Sequence, residues 1–123
     1  MAKILVIDDS KFSRKVATLA LRGSGHEVIE AEDGQKGLDA VDALNPDCVI
    51  CDLLMPNLNG IGFLERLRGG GSSLSVIKAS ADVQASSRVR CEELGISAFL
   101  NKPYQGADLA RAVEQALLGG ESI

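Results

Sequence analysis

Residues that can handle a phosphoryl group follow four short apolar runs of this sequence. The runs and the residues after them are 4–7 with Asp8 and Asp9, 48–51 with Asp52, 76–79 with Ser80, and 98–101 with Lys102. If the runs are neighbouring parallel strands, these side chains converge outside the carboxyl ends of the strands, where open α/β sheets bind their ligands. Scattered surface charges would not repeat this placement four times, so we interpret the residues as one site.

The residue types at this edge favour metal-assisted phosphoryl transfer. Three carboxylates in one cleft repel each other, and a divalent cation relieves that conflict. Mg²⁺ prefers oxygen ligands and binds through one or two carboxylates together with a phosphate. Lys102 could pair with a phosphoryl oxygen, Ser80 could donate a hydrogen bond to another, and an aspartate could be the nucleophile. Positioning and charge neutralisation are most of what phosphoryl transfer requires.

Each of these residues also has a plainer interpretation when it is taken alone. An acidic pair after a strand often caps the next helix, where it meets a favourable helix dipole. Asp52 could cap the loop that follows it, and Lys102 could be a solvated surface lysine. The joint placement of all four groups favours the functional interpretation.

The intervening pattern alternates strands and helices from end to end. Strands are predicted at 3–8, around 28–31, and at 47–52, 75–80 and 98–102. Phe12, Val16, Leu19 and Ala20 have the spacing of one helix face, and Asp33 is a candidate N-cap for the second helix. A helix predicted at about 83–94 has the weakest apolar stripe. Short connections and right-handed crossovers then predict a doubly wound (βα)₅ α/β domain with a five-stranded parallel sheet in the order 2-1-3-4-5.

Composition places the chain among ordinary globular domains. Its 123 residues suit one domain, and a net charge of -4 argues against direct nucleic-acid binding. We expect no membrane insertion, since no apolar stretch is long enough and no signal peptide is evident. Cys48 and Cys51 lie three apart on a predicted strand and point to opposite faces, so we interpret them as buried apolar residues. With an odd third cysteine, Cys91, this suits a reducing compartment, and we expect a cytoplasmic protein.

The sequence resembles the receiver domain of two-component response regulators over its whole length. The matching segments are Val6-Ile7-Asp8-Asp9-Ser10, Asp52-Leu53-Leu54-Met55-Pro56 with Gly60 beyond it, Ser80-Ala81, and Lys102-Pro103. This resemblance implies a flavodoxin-like fold and a single-domain, chemotaxis-regulator-like receiver that spans residues 1–123 without an output domain.

By this resemblance, Asp52 is the phosphoacceptor. Asp9 and Asp52 would bind Mg²⁺ (or Mn²⁺) directly, Asp8 would bind it through water, and the backbone carbonyl of Leu54 would be a further ligand. The remaining implied roles are phosphoryl contacts from the Ser80 hydroxyl, the Ala81 amide and the Lys102 ammonium. The Lys102-Pro103 bond is expected to be cis.

The resemblance also implies a conformational switch. Phosphorylation would draw Ser80 inward, the ring of Phe99 would turn into the vacated space, and the face of the fourth helix, fifth strand and fifth helix would change for its partners. Leu54 and Asp82 would flank the path of the hydrolytic water. Because the apolar Leu54 cannot orient that water, we predict slower self-dephosphorylation than in a receiver with an amide side chain at this position.

The implied partners are a sensor histidine kinase or a histidine phosphotransfer protein as donor, and a downstream protein target. Catalysis would be limited to the chain's own Mg-dependent phosphorylation and dephosphorylation. A receiver fragment of a larger regulator and a phosphorylation-independent binding module remain alternatives. A flavin carrier is disfavoured because Asp8 and Asp9 would repel its phosphate. A magnesium-dependent phosphatase is disfavoured because its second aspartate would lie two residues after the nucleophile.

Overall fold

Five strands and five helices alternate along the chain in a computed structural model that describes residues 2–55, 57–81 and 84–119. The strands are β1 (Lys3–Ile7), β2 (Glu27–Ala31), β3 (Cys48–Cys51), β4 (Ser75–Ser80) and β5 (Ala98–Asn101). The helices are α1 (Lys11–Gly23), α2 (Gly34–Leu44), α3 (Gly60–Gly69), α4 (Ala85–Leu94) and α5 (Gly106–Gly119). The alternation predicted from the sequence is therefore confirmed.

Three strands end one residue earlier than predicted. Asp8, Asp52 and Lys102 were placed inside strands, but each follows the last residue of β1, β3 or β5. Each of these three residues is therefore the first residue of a loop, where the alternation of the strand no longer decides which face of the sheet its side chain points to. The predicted start of α4 near Val83 falls on residues 82 and 83, which lie outside the described residues, and the helix is described from Ala85.

The sheet is parallel throughout, and its order is β2-β1-β3-β4-β5, as predicted. Ile7 at the end of β1 is in register with Cys51 at the end of β3. Asp8 and Asp52 therefore leave two adjacent strands at the same edge. Ser80 at the end of β4 is in register with Asn101 of β5. Ser80 and Lys102, which follows Asn101, therefore lie at the same edge of the sheet.

Two apolar layers cover the two faces of the sheet. One layer lies between the sheet and the helices α1 and α5, and the other lies between the sheet and α2, α3 and α4. Cys48 belongs to the first layer and Cys51 to the second, both fully buried free thiols. The predicted orientation of these two cysteines to opposite faces is confirmed.

Side-chain caps fix where α1, α2 and α3 begin. The Asp33 carboxylate accepts a hydrogen bond from the Lys36 amide at 2.8 Å, which confirms it as the N-cap of α2. Ser10 caps α1 and Asn59 caps α3 in the same way. Within the described helix α4, only Cys91 is buried, so packing holds this helix weakly, in agreement with its poor apolar stripe.

The apolar stripe recognised on α1 faces outward. Phe12 is 77% exposed and Leu19 is 61% exposed, whereas the side of α1 that packs on the sheet carries Ala17, Thr18 and Leu21. Helix α1 is apolar on two sides, and helical spacing alone does not tell which side is buried. Within the described part of the chain, no helix is both long enough and apolar enough to cross a membrane.

Candidate functional site

Three carboxylates meet at the edge formed by the ends of β1 and β3. Ligand oxygens of Asp8, Asp9 and Asp52 all lie within 4.8 Å of one another. Asp8 is buried, Asp9 is exposed and Asp52 is half-buried, so the cluster opens to solvent on one side. A set made only of oxygen donors suits a hard divalent cation, and the open side leaves room for water or phosphoryl oxygens. These residues therefore fit Mg²⁺.

Backbone amides of the following loops hold two of these carboxylates. Asp8 Oδ1 accepts a hydrogen bond from the Ser10 amide at 2.9 Å, and Asp52 Oδ1 accepts one from the Leu54 amide at 3.2 Å. The cap of α1 is the Ser10 hydroxyl, so the interpretation of the acidic pair as a plain helix cap is wrong. Asp52 does accept a hydrogen bond from its own loop through Oδ1, but its second oxygen, Oδ2, contacts Lys102.

The positively charged amine of Lys102 contacts two of the three carboxylates. Its Nζ donates to Asp52 Oδ2 at 2.9 Å and also contacts Asp8 Oδ2. Burial by itself lowers the pKa of Lys102, but the hydrogen bonds and charges of Asp8 and Asp52 outweigh burial, and the pKa is raised. The Lys102-Pro103 peptide bond is cis, as expected.

The other predicted residues lie around this core. Ser80 is fully buried at the end of β4, and its carbonyl accepts the Lys102 amide at 2.9 Å. Ala81 is exposed directly after it, and Leu54 is 62% exposed in the loop after β3. Phe99 is half-buried on β5, with the Arg88 guanidinium of α4 5.1 Å from its ring centroid. Asp82, which the resemblance places beside the water path, lies outside the described residues.

An open cavity beside the site joins it to α1, a feature that the sequence motifs did not predict. Its volume is about 250 Å³, and its lining residues are Phe12, Ser13, Val16, Ala81, Lys102, Pro103 and Tyr104. Burial raises the pKa of the Tyr104 phenol against the opposing effect of Lys102. The only sequence signal for this cavity is the outward-facing stripe of α1, which the pattern did not distinguish from a core face.

Two basic residues near the cluster were also missed. Arg14 of α1 donates to the Asp8 carbonyl at 2.7 Å and to Glu30 Oε1 at 3.2 Å, which ties α1 to the ends of β1 and β2. Lys78 of β4 is fully buried, and its Nζ donates to the Gly60 carbonyl at 2.6 Å. The sequence signal for Lys78 was the presence of a lysine within the apolar run 76–79.

Comparisons with known proteins agree on one family. The family described as response regulator receiver domain matches residues 4–114. Chemotaxis protein CheY of Listeria monocytogenes is 32% identical over 117 residues, which cover 94% of this chain and 98% of that protein. The structure of the receiver domain of Francisella response regulator 1452 has a TM-score of 0.91 and 26% identity, and covers 98% of this chain and 100% of that one.

Some similar proteins are longer than the matched region. Response regulator MprA of Mycolicibacterium vanbaalenii is 33% identical over 102 residues, which cover 83% of this chain and 44% of that protein. A probable transcriptional regulator of Porphyridium aerugineum is matched over 48% of its length. The chain thus spans about half the length of these two relatives.

Proposed function

The chain belongs to the family of response regulator receiver domains, which are phosphoryl-accepting signalling switches, and from that premise we propose that Asp52 is its phosphoacceptor. One observation carries the proposal: the Asp52 carboxylate contacts the Lys102 ammonium and clusters with two further carboxylates at the carboxyl ends of adjacent strands. This surrounding supplies positive charge and metal-ligand oxygens to the same carboxylate.

Asp52 acts as the nucleophile towards a phosphohistidine donor. A carboxylate oxygen forms a bond to phosphorus while the phosphorus–nitrogen bond breaks, and the leaving imidazole keeps that electron pair. Lys102 stays beside the carboxylate and balances the charge of the incoming phosphoryl oxygens. The Ser80 hydroxyl and the Ala81 amide donate hydrogen bonds to the other phosphoryl oxygens.

A magnesium or manganese ion would be held by Asp9, Asp52 and the Leu54 carbonyl, with Asp8 acting through water. When bound, the ion supplies positive charge that neutralises the transferring group. The support for this ligand set is the clustering of the carboxylate oxygens and the preference of such ions for oxygen.

The response to phosphorylation is carried by Ser80 and Phe99. Ser80 is buried at the end of β4, and Phe99 lies half-buried on the neighbouring strand β5. Inward movement of the Ser80 hydroxyl makes room for the Phe99 ring and reshapes the face of α4, β5 and α5 for a downstream protein. The weak packing of α4 lowers the cost of that change.

The donor protein, a sensor histidine kinase or a histidine phosphotransfer protein, docks beside α1. The exposed side chains of Phe12 and Val16 line the same cavity as Ala81 and Lys102, so this apolar surface is continuous with the reacting site. A donor helix that packs on this surface would hold its phosphohistidine next to the entrance of the cluster.

The decisive test is the intact mass of the chain after incubation with phosphoramidate, with and without Mg²⁺, beside the variant Asp52→Asn. One phosphoryl adduct that requires both the metal and Asp52 is expected. A folded, magnesium-binding wild-type chain that forms no adduct would contradict the proposal.

A further inference from the structure

A lysine lies fully buried in the apolar layer beneath the phosphoacceptor. Lys78 has no solvent exposure, and its side chain lies on the same face of the sheet as Cys51, Phe63 and Leu64. Withdrawing an amine from water is costly unless hydrogen bonds replace those lost. The role of Lys78 must therefore be sought in its contacts.

The amine of Lys78 holds the end of the loop that starts at Asp52. Its Nζ donates to the Gly60 carbonyl at 2.6 Å and lies 5.7 Å from the centroid of the Phe63 ring. Gly60 is the first residue of α3, and its own amide donates back to the Leu53 carbonyl at 2.9 Å. Lys78 thus ties β4 to the point where the loop turns into α3.

A second buried group holds the start of the same loop. The Cys51 thiol donates to the Asp52 carbonyl at 3.2 Å, and Cys51 is in register with Lys78 on the next strand. Burial raises the pKa of the Cys51 thiol, and the neighbouring Lys78 amine works against that shift.

The two ends of the loop are in close contact above this pair. A Cβ atom on Gly60 would lie 2.1 Å from the Asp52 carbonyl oxygen and 2.9 Å from Lys78 Nζ. A side chain therefore does not fit between them, and the backbone at Gly60 packs directly against the backbone of Asp52. The loop closed in this way carries the Leu54 amide, which donates to Asp52 Oδ1, and the Leu54 carbonyl assigned to the metal.

We propose that Lys78 is a positioning residue for phosphoacceptor chemistry, because its buried amine holds the two ends of the loop between β3 and α3 in the geometry that metal binding and phosphoryl transfer require. The inference rests on the proposed function of Asp52. Lys78 acts through the backbone of the loop, in contrast to Lys102, which contacts the carboxylates themselves. Its loss should therefore impair the site more than the fold.

Two variants separate the hydrogen bond from the packing. Lys78→Met keeps an unbranched side chain and removes the donor, whereas Lys78→Gln has the same reach as methionine and retains a donor. Leu64→Met is the matched control, since it alters packing in the same buried layer without touching a polar group. All three are compared with the wild-type chain by amide hydrogen exchange at Leu53, Leu54 and Gly60, by calorimetric Mg²⁺ titration, by phosphoramidate labelling and by thermal unfolding.

Lys78→Met should accelerate exchange at these amides by about fivefold and weaken Mg²⁺ binding by a similar factor, the equivalent of one ordinary hydrogen bond. Its adduct should form more slowly, while its unfolding temperature stays equal to or above that of the wild type. Lys78→Gln should recover part of the loss, and Leu64→Met should match the wild type in exchange and metal affinity.

The outcomes distinguish the two proposals. If the wild-type chain forms the adduct and Lys78→Met has the same amide exchange in the loop and the same Mg²⁺ affinity as the wild type, the inference about Lys78 is overturned while the proposed function stands. A loss of metal affinity that tracks lowered stability equally in Lys78→Met and Leu64→Met would also overturn it. If the wild-type chain takes no phosphoryl group, the proposed function fails, and the inference fails with it.

Discussion

Replacement of Lys102 by methionine should lower the stability of the metal-free protein and raise its affinity for Mg²⁺. The Lys102 ammonium contacts carboxylate oxygens of Asp8 and Asp52, two of the three residues that could hold a divalent cation. Its removal therefore destabilises the metal-free protein, because three clustered carboxylates lose their counter-charge. The same removal should strengthen Mg²⁺ binding, because a competing positive charge is gone, and should sharply slow phosphorylation.

The size of each effect follows from the contacts. A hydrogen bond to a charged group contributes about 1.5–3 kcal/mol, and the two Lys102 bonds are coupled and partly screened, so we expect a loss of about 3 kcal/mol in the free energy of unfolding. The side chains of Lys102 and Asp52 are only 17% and 11% exposed, which keeps that screening incomplete. A single and a double charge about 6 Å apart repel by about 1.4 kcal/mol even at the dielectric of water, so Mg²⁺ should bind more tightly by about tenfold or more.

Urea unfolding with and without Mg²⁺ and calorimetric Mg²⁺ titration measure both quantities for Lys102→Met. Lys36→Met is the control, since its ion pair with Glu32 is exposed on both sides and should leave stability and metal affinity nearly unchanged. Metal should restore more stability to Lys102→Met than to the wild type, because ligand binding to the folded state adds to its stability. Unchanged or weaker Mg²⁺ binding in Lys102→Met would refute the reasoning that Lys102 competes with the metal for these oxygens.

Three further changes test separate parts of the molecule. Leu54→Asn should speed hydrolysis of the aspartyl phosphate roughly tenfold by orienting water, as followed by the decay of the adduct mass, and an unchanged rate would contradict the role given to this position. Phe12→Ala should slow transfer from a phosphorylated histidine phosphotransfer protein but not from phosphoramidate, while Leu118→Ala, which removes an exposed side chain from α5, should affect neither. Asp33→Ala should lower the free energy of unfolding by about 1 kcal/mol at neutral pH. Hydrogen bonds from the Lys36 amide and then from Asn57 lower the pKa of Asp33, so its contribution is full above pH 3.8 and declines as pH falls through the lower folded value. A difference from wild type that does not shrink as pH falls below 3.8 would exclude this cause.

The sequence was sufficient to predict how the site is assembled. Four apolar runs, each followed by a reactive residue, define strands and their carboxyl ends, and the topology of parallel sheets brings those ends together. The contact of Lys102 with Asp52 and Asp8 follows from that logic, although these residues lie 50 and 94 positions apart. The N-cap at Asp33 was predictable for a different reason, since capping depends only on neighbouring residues.

The sequence was insufficient where burial depends on partners from distant segments. Helical spacing grouped Phe12, Val16 and Leu19 as one face, but whether that face meets the sheet is decided by how α1 packs beside α5. The strand ends at Asp8 and Asp52 were predicted one residue too late because local pattern does not show where pairing stops. Lys78 carried no signal of its contact with Gly60, 18 positions away, because that bond forms only after β4 and α3 pack together.

The two lysines near Asp52 illustrate separate physical requirements of one reaction. Lys102 contacts carboxylate oxygens of the cluster, so its effect is electrostatic and depends on which charges are present. Lys78 lies in the buried layer and donates to the Gly60 backbone carbonyl at the end of the same loop, so its proposed effect is geometric. The proposed phosphoryl transfer to Asp52 uses both, since charge neutralisation requires donors that are already in place when the group arrives. The buried lysine supplies this preorganisation from a position that no phosphoryl oxygen has to reach.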